Sequence, residues 1–497
     1  MNRCRTILIP FLAVTLFAAC KAERQTPAQH RNFTSPTTHA ELGEFLEQST
    51  EACDLLKLEV FGQSAGGLDL FVVKAGKDEP SPSGEKLRVL VLAQQHGNEH
   101  SGKEAALLLI DGMLCGRHKR WFDTMEIWII PQMNPDGSEV NERRNSEGID
   151  FNRDHVVMQS AEVRALHDLS HDFMPHVTLD IHEYHPYSDA WEAFGAFKQF
   201  DVQTGIITNP NLSQDIRKYS EEVVLPGLEN KLKAGGYTFH NYLVGPAPPE
   251  GPTRHSTVDI DDGRQSFGVL GSMSFIFEGL NGRDRYADSL QRRAQSQAMA
   301  VRSLMDIIRH DREKIIQMVD DSRRVLVSGG NDTVAIRMDH FPGEKPLQLL
   351  LKSSQTGKDT LVKIHNYHPL VKPTFSIERA RGYLIPRSDS LLMALISNHH
   401  IEYQETFEDP QQVFAYRFAA LSRSFDEGLK NYFPEVEKEV LDAENYQRDY
   451  IFVPVTQLHS HFLALTLEPQ SQIGLIQYPL FQYLLRENEH FPVLRVE

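Results

Sequence analysis

His96-Gly-Asn-Glu99 follows directly on the apolar run Leu87 to Ala93, and His182-Glu183 closes a second apolar run, Val177-Thr-Leu-Asp-Ile181. Imidazole nitrogens and a carboxylate at these places are what a catalytic zinc uses, since it takes three protein ligands and leaves a fourth position for water. His-x-x-Glu at a strand end brings two ligands to one point, and a histidine from a neighbouring strand end supplies the third. His96, Glu99 and His182 are therefore the candidate ligands for one zinc per chain. A lone His-x-x-Glu is weak, because such pairs also occur as ordinary loop residues. The weight lies in the second strand-end histidine and in the Asn134-Pro-Asp-Gly137 and Asn152-Arg153 motifs between them. Neutral imidazole and carboxylate suit zinc, and the cysteines lie too far from the motif to compete.

Those residues need elements to carry them. Lys86 to Ala93, Met125 to Ile130, Val177 to Ile181 and Met273 to Phe277 read as strands. Ser101 to Leu114, Ala161 to Leu169, Ser213 to Ala234 and the long stretch Arg285 to Asp320 read as helices. This alternation predicts an α/β fold with a sheet covered on both faces. The candidate ligands fall just past the carboxyl ends of strands, where such sheets place their sites. From about residue 320 the texture changes. Arg324 to Val327, Thr333 to Met338, Leu347 to Leu351 and Thr360 to His365 read as short strands, and Gln411 to Tyr432 and Gln472 to Leu485 as helices. The expected organisation is a signal segment (1–20), a tether (21–40), a catalytic domain (41–320) and a β-rich mixed C-terminal region (321–497).

With these motifs in hand, the chain resembles the zinc metallocarboxypeptidases of the carboxypeptidase A and B superfamily, over roughly residues 45–315. The resemblance rests on His96-Gly-Asn-Glu99, on Asn134-Pro-Asp-Gly137 with Arg143-Arg-Asn145 and Gly148-Ile-Asp-Phe-Asn-Arg153, on Asp180-Ile-His182, and on Ser274-Phe-Ile-Phe-Glu278. It implies a mixed, mainly parallel sheet of about eight strands flanked by helices. The C-terminal part is similar to an extra region of certain bacterial members. By the same resemblance His96, Glu99 and His182 are the zinc ligands, and Glu278 is the general base acting on a zinc-activated water. Arg143 matches the arginine that polarises the scissile carbonyl, with Arg144 as its neighbour in register. Asn152 and Arg153 match the pair that binds the substrate's free carboxylate, a task that suits a guanidinium fork. Arg264 lies in the segment expected to line the specificity pocket, where it could bind an acidic side chain, help hold the carboxylate, or be a plain surface arginine. The family's mobile tyrosine is missing from Arg254 to Phe267, and Tyr242 stands further back. Glu183, His185, His100 and His155 flank the motifs and read as supporting or surface residues.

The start of the chain reads as an address. Met1-Asn-Arg-Cys-Arg5 is basic, Thr6 to Ala19 is apolar but short for a span, and Leu16-Phe-Ala-Ala-Cys20 resembles a bacterial lipoprotein box. The expectation is a lipid on Cys20, with plain secretion as the alternative, and a place in the cell envelope, outer membrane by resemblance to Gram-negative lipoproteins. Gln25 to Thr38 is polar with two prolines and reads as a flexible tether. A formal charge of −17 over 497 residues argues against a nucleic-acid partner, which needs a basic face. An oxidising compartment would allow Cys53 and Cys115 to pair, and two free thiols fit as well. These readings together predict a zinc carboxypeptidase acting on peptides with a free C-terminus. The alternatives are a zinc amidase for cell-wall peptides or N-acyl amino acids, and a non-catalytic binding lipoprotein.

Overall fold

The computed structural model describes residues 25–77, 85–114, 116, 118–248, 250–405, 412–426, 429–441, 446, 448–486 and 489–497. Eight strands form the central sheet: β1 (Leu56–Gln63), β2 (Asp69–Ala75), β3 (Leu87–Ala93), β4 (Met125–Ile130), β5 (Val177–Tyr184), β6 (Val202–Ile206), β7 (Phe239–Asn241) and β8 (Met273–Leu280). Their spatial order is β1-β2-β4-β3-β5-β8-β6-β7. The sheet is mixed. β3 pairs in parallel with both β4 and β5, β5 with β8, and β6 with β7, while β1, β2 and β4 join antiparallel and β6 runs against β8.

The central strands are near-continuous apolar runs because both faces are covered. Along β3 the side chains alternate between two cores. Val89 and Val91 pack with Leu107 and Ile110 of α2 (His100–Leu114) and Leu304 of α6 (Leu290–His310). Leu90 and Leu92 pack instead with Val163 and Leu166 of α3 (Ala161–Phe173) and Phe267 of α5 (Gly263–Val269). Two further helices flank this unit, α1 (His39–Glu51) and α4 (Leu225–Ala234). The strands and helices expected around the motifs are all present.

Several boundaries differ from the sequence reading, each for a local reason. The single helix expected over Arg285 to Asp320 is two, α6 and α7 (Arg312–Val327), broken at Asp311. The strand expected at Arg324 to Val327 is the last turn of α7, where Leu326 still faces the core. The helix expected over Ser213 to Ala234 carries a π turn at Ser220–Val224, just before Pro226, which has no N–H to donate. The helix expected over Gln411 to Tyr432 is a strand, Val413–Asp426, paired antiparallel with Leu429–Leu441. Its aromatics Phe414, Tyr416 and Phe418 alternate along the chain, which suits a pleated surface. Gln472 to Leu485 forms only short 3-10 turns, with Pro479 starting one of them.

The tether expectation also fails for residues 25–38. A helix at Pro27–His30 is capped by Thr26, and Ala28 and Phe33 pack on Leu290 and Ala294. Thr37 donates its N–H and hydroxyl to the buried Glu104 carboxylate at 2.7 and 2.8 Å. Cys20 and Cys115 lie outside the described residues, and Cys53 forms no disulfide among them. No described helix is long and apolar enough to cross a membrane.

The C-terminal region is β-rich. A strand at Gly382–Pro386 joins Tyr450–Pro454, Leu494–Val496 and the long hairpin in a five-stranded sheet. Leu347–Ser353 pairs with Ala196–Phe197 of the catalytic part. α8 (Ser390–Asn398) ends in His399, whose Nε2 is 2.8 Å from the carbonyl of Val156. One apolar core runs from Leu42 through Val319 to Val493, and α7 crosses residue 320.

Candidate metal centre and active site

Asp180 and His182 stand two residues apart on β5, so both side chains leave the same face of the strand. The parallel register sets Glu278 of β8 opposite His182, which brings the carboxylate beside the histidine at the sheet's carboxyl edge. The loop after β3 supplies His96 and Glu99. Gly97 is required inside that loop, because a Cβ there would lie 2.1 Å from the backbone of Gly137. The Asn134 side chain accepts from Gly137 N–H at 2.9 Å and donates to the carbonyl of Gln95 at 3.2 Å, tying the two loops together.

His96, Glu99 and His182 converge, all buried, with ligand atoms within 4.8 Å of one another. His96 Nδ1 is 2.7 Å from Glu99 Oε1, His182 Nδ1 is 3.0 Å from Glu99 Oε2, and the two Nδ1 atoms are 3.1 Å apart. Each Nε2 is engaged on the far side, His96 with Asp150 at 3.1 Å and His182 with Asp180 at 2.8 Å. If each Nε2 carries the proton, each Nδ1 presents a lone pair inward. Two such nitrogens and a carboxylate pointing at one spot repel each other unless a cation sits between them. Tetrahedral zinc at about 2.0–2.1 Å from each ligand spaces its donors by roughly 3.3 Å, close to what is found.

Asp150 does three things. It accepts from His96, from Arg143 Nε at 2.9 Å, and from the backbone N–H of Asn152 at 3.1 Å. Burial alone would raise its carboxyl, but His96 and Arg143 hold it well below the usual carboxylate range. Arg143 Nη1 thereby lies 3.1 Å from His96 Nδ1 and 3.6 Å from Glu99, with its side chain 42% exposed to the cleft. Arg144 points elsewhere, donating to the carbonyl of Gly148.

A cavity of about 330 Å³ opens beside the trio, with His96 and Glu99 in its lining. Arg143, Asn152, Arg153, Tyr242 and Glu278 all line it. The Glu278 carboxyl is raised to about 7: burial pushes it up most, His182 pulls it down, Glu99 pushes it up, and the Tyr242 hydroxyl lowers it by donating to it. Arg153 has burial working against its charge, which Asp261, Asp259, Asp150 and Asp262 more than offset. The Asn152 side chain is held by Gly263 N–H at 2.8 Å.

Arg264 is placed differently from its expected role. It is 0% exposed and lies behind the cavity wall, donating to Asp262 at 2.8 Å, to Thr257 at 2.6 Å and to Ser256. Its charge serves Asp262 and Thr257, which do line the cavity. Glu183 forms a buried ion pair with Arg293, at 2.8 and 2.9 Å. His100 is buried against Gln94 and Asn141, and His185 sits on the cavity rim.

Asp150 has no role in the sequence reading, and Tyr242 enters it only as a residue that a loop could bring in. Tyr242 does reach Glu278, because the chain turns back after β7, where Tyr242 N–H bonds to the carbonyl of Thr204. Nothing in the sequence spacing signals that turn. Asp150 stood inside a quoted motif, and its place before a turn carrying Asn152-Arg153 was the only available hint. From the C-terminal region, Tyr478 donates to Asp261 at 3.4 Å, close to the Arg153 cluster.

Residues 43–222 match the zinc carboxypeptidase family. The chain is similar to carboxypeptidase 2 of Trichophyton tonsurans, 23% identical over 84% of this chain and 78% of that one. A zinc carboxypeptidase of Saccharothrix mutabilis subsp. capreolus is 33% identical over 22% of this chain and 26% of its own length. A solved metallo-carboxypeptidase from Burkholderia cenocepacia overlaps it with a TM-score of 0.43 and 18% identity, over 56% of this chain and 70% of that chain.

Proposed function

This chain is a member of the zinc carboxypeptidases, and on that premise we propose that it hydrolyses the last peptide bond of substrates with a free C-terminus, using one zinc held by His96, Glu99 and His182. The bound zinc would polarise the scissile carbonyl and make water a nucleophile near neutral pH. Glu278 accepts the proton that water loses as its oxygen bonds to the carbonyl carbon. It then returns that proton to the amine as the C–N bond breaks, releasing one amino acid and a shortened peptide. Arg143, turned by Asp150 toward the ligands, donates to the carbonyl oxygen as it becomes anionic. Asn152 and Arg153 receive the terminal carboxylate, and Tyr242 steadies Glu278 through its hydroxyl. Arg264 supports the cavity wall through Asp262.

The observation that carries this reading is the meeting of Glu278, Arg143 and Arg153 in one cavity beside the three converging ligands. The sequence before residue 25 further suggests a lipid on Cys20 and a position in the cell envelope. The test is metal content together with turnover of matched peptides, one ending in a free acid and one amidated, with products read by mass spectrometry. One zinc per chain and single-residue trimming of the free acid alone are expected. Equal cleavage of both peptides would favour the amidase reading, and a protein without zinc would defeat both.

A further inference from the structure

The zinc ligand His182 is the end of a hydrogen-bonded chain that runs through the catalytic part to its seam with the C-terminal region. His182 Nε2 lies 2.8 Å from Asp180 Oδ2. Gln95 Nε2 donates to the same oxygen at 2.6 Å. Gln95 Oε1 is 2.9 Å from His155 Nε2, and His155 Nδ1 is 2.9 Å from His167 Nε2. The direction of every bond follows from the amide. Once Gln95 gives its N–H to a carboxylate, its oxygen must accept, so His155 carries its proton on Nε2. Its Nδ1 then accepts, so His167 carries its proton on Nε2 as well. All donors point down the chain toward Asp180, each polarising the next.

Two packing facts show that the arrangement is built rather than incidental. Gly263 lies on it so closely that a Cβ would meet Gln95 Nε2 at 2.5 Å and Asp180 Oδ2 at 2.6 Å, and the same glycine holds Asn152. At the far end His167 sits between Phe267 and the edge of the His399 ring, with centroids 5.4 and 5.7 Å apart. His155, His167 and His399 are all fully desolvated, and burial keeps all three neutral.

We propose that Gln95 and His155 are positioning residues for the zinc ligand His182, and that His167 extends their hold to the seam with the C-terminal region. Asp180 is shared between a metal ligand and an amide. Without Gln95 in place it would be free to turn, and His182 would lose the partner that sets its tautomer and ring angle. The proposal rests on His182 being a zinc ligand.

The experiment compares zinc release from the wild-type holoenzyme and from His155→Leu and His155→Gln, by competition with a chromogenic chelator. Visible spectra of the cobalt-substituted proteins and thermal melts of the apo forms accompany it. Outer partners of metal-bound histidines typically matter by 10–100-fold. His155→Leu should weaken zinc by about tenfold and shift the cobalt bands, while His155→Gln, which keeps a donor for Gln95, should stay near wild type. Wild-type affinity and spectrum in His155→Leu would overturn the proposal, as would equal losses in both variants. If His155→Leu does not fold, Gln95→Met carries the same expectation and the same overturning result. Absence of zinc from the wild type would instead remove the reading beneath it.

Discussion

In the mechanism proposed above Glu278 and Arg153 carry the charges that decide the chemistry, and both are held in unusual surroundings. Burial raises the Glu278 carboxyl, which makes it a stronger base than an exposed glutamate. Glu278→Gln keeps the shape and removes the proton acceptor, so turnover should fall by about 10² to 10⁴ while zinc content stays at wild type. Near-normal kcat with full zinc would exclude it from proton transfer. Arg153 is buried among aspartates and lines the cavity. An amidated terminus leaves that fork without its partner, at a cost of several kcal/mol, or about a thousandfold in kcat/KM. Arg153→Ala should slow the free-acid peptide and largely erase its advantage over the amide. A retained preference would place the carboxylate site elsewhere.

At the scale of elements, α5 is the piece that joins the candidate metal centre to the proposed carboxylate site. Asp262 caps its first turn, with Oδ1 accepting Gln265 N–H at 2.6 Å, while Oδ2 takes Arg264 at 2.8 Å. Gly263 then lets the helix start flush against Gln95 and Asp180. Gly263→Ala should force these apart and destabilise the fold by about 1–3 kcal/mol, read as a lower denaturation midpoint with weaker zinc retention. A variant with wild-type stability would show that α5 can back away freely. Strand register works at the same level: one residue of slip between β5 and β8 would turn Glu278 to the opposite face.

At the scale of the whole molecule, the C-terminal region is joined to the catalytic part through buried histidines. Burial holds His155 and His399 near 4 and His459 near 3, against about 6.5 in an unfolded chain. Between those values the unfolded chain binds more protons than the fold, so stability rises with pH. Stability should be full above about pH 6.5 and drop toward pH 4, by up to about 1.4 kcal/mol per pH unit for each such histidine. Urea midpoints of the zinc-free protein across this range would measure it, and a midpoint flat from pH 7 to 4.5 would contradict it. At the other end of the chain, the proposed lipid on Cys20 predicts that the wild type fractionates with membranes and that Cys20→Ser is released or stalls in processing. A soluble wild type whose mature start lies away from Cys20 would end the lipoprotein reading.

That His96, Glu99 and His182 converge, and that Glu278, Arg143 and the Asn152-Arg153 pair meet beside them, was legible because short motifs and strand ends depend on local chemistry. A histidine at the end of an apolar run has few structural uses, and period-2 and period-3.6 patterns name their own elements. Residues whose meaning depends on distant partners were not legible. Tyr242 reaches Glu278 only through a turn after β7, Arg264 is drawn behind the wall by Asp262, and His155 becomes part of a chain only when β3, β5 and α3 are packed. Residues 25–38 read as a polar tether because their stabilising contacts, to Glu104, Leu290 and Ala294, are remote in sequence. The hairpin from Val413 read as a helix because a short apolar run does not reveal its period until a partner strand fixes it. Local spacing thus determined the zinc-hydrolase chemistry. Long-range packing decided which charges face the cleft and how the C-terminal region is joined to the candidate metal centre.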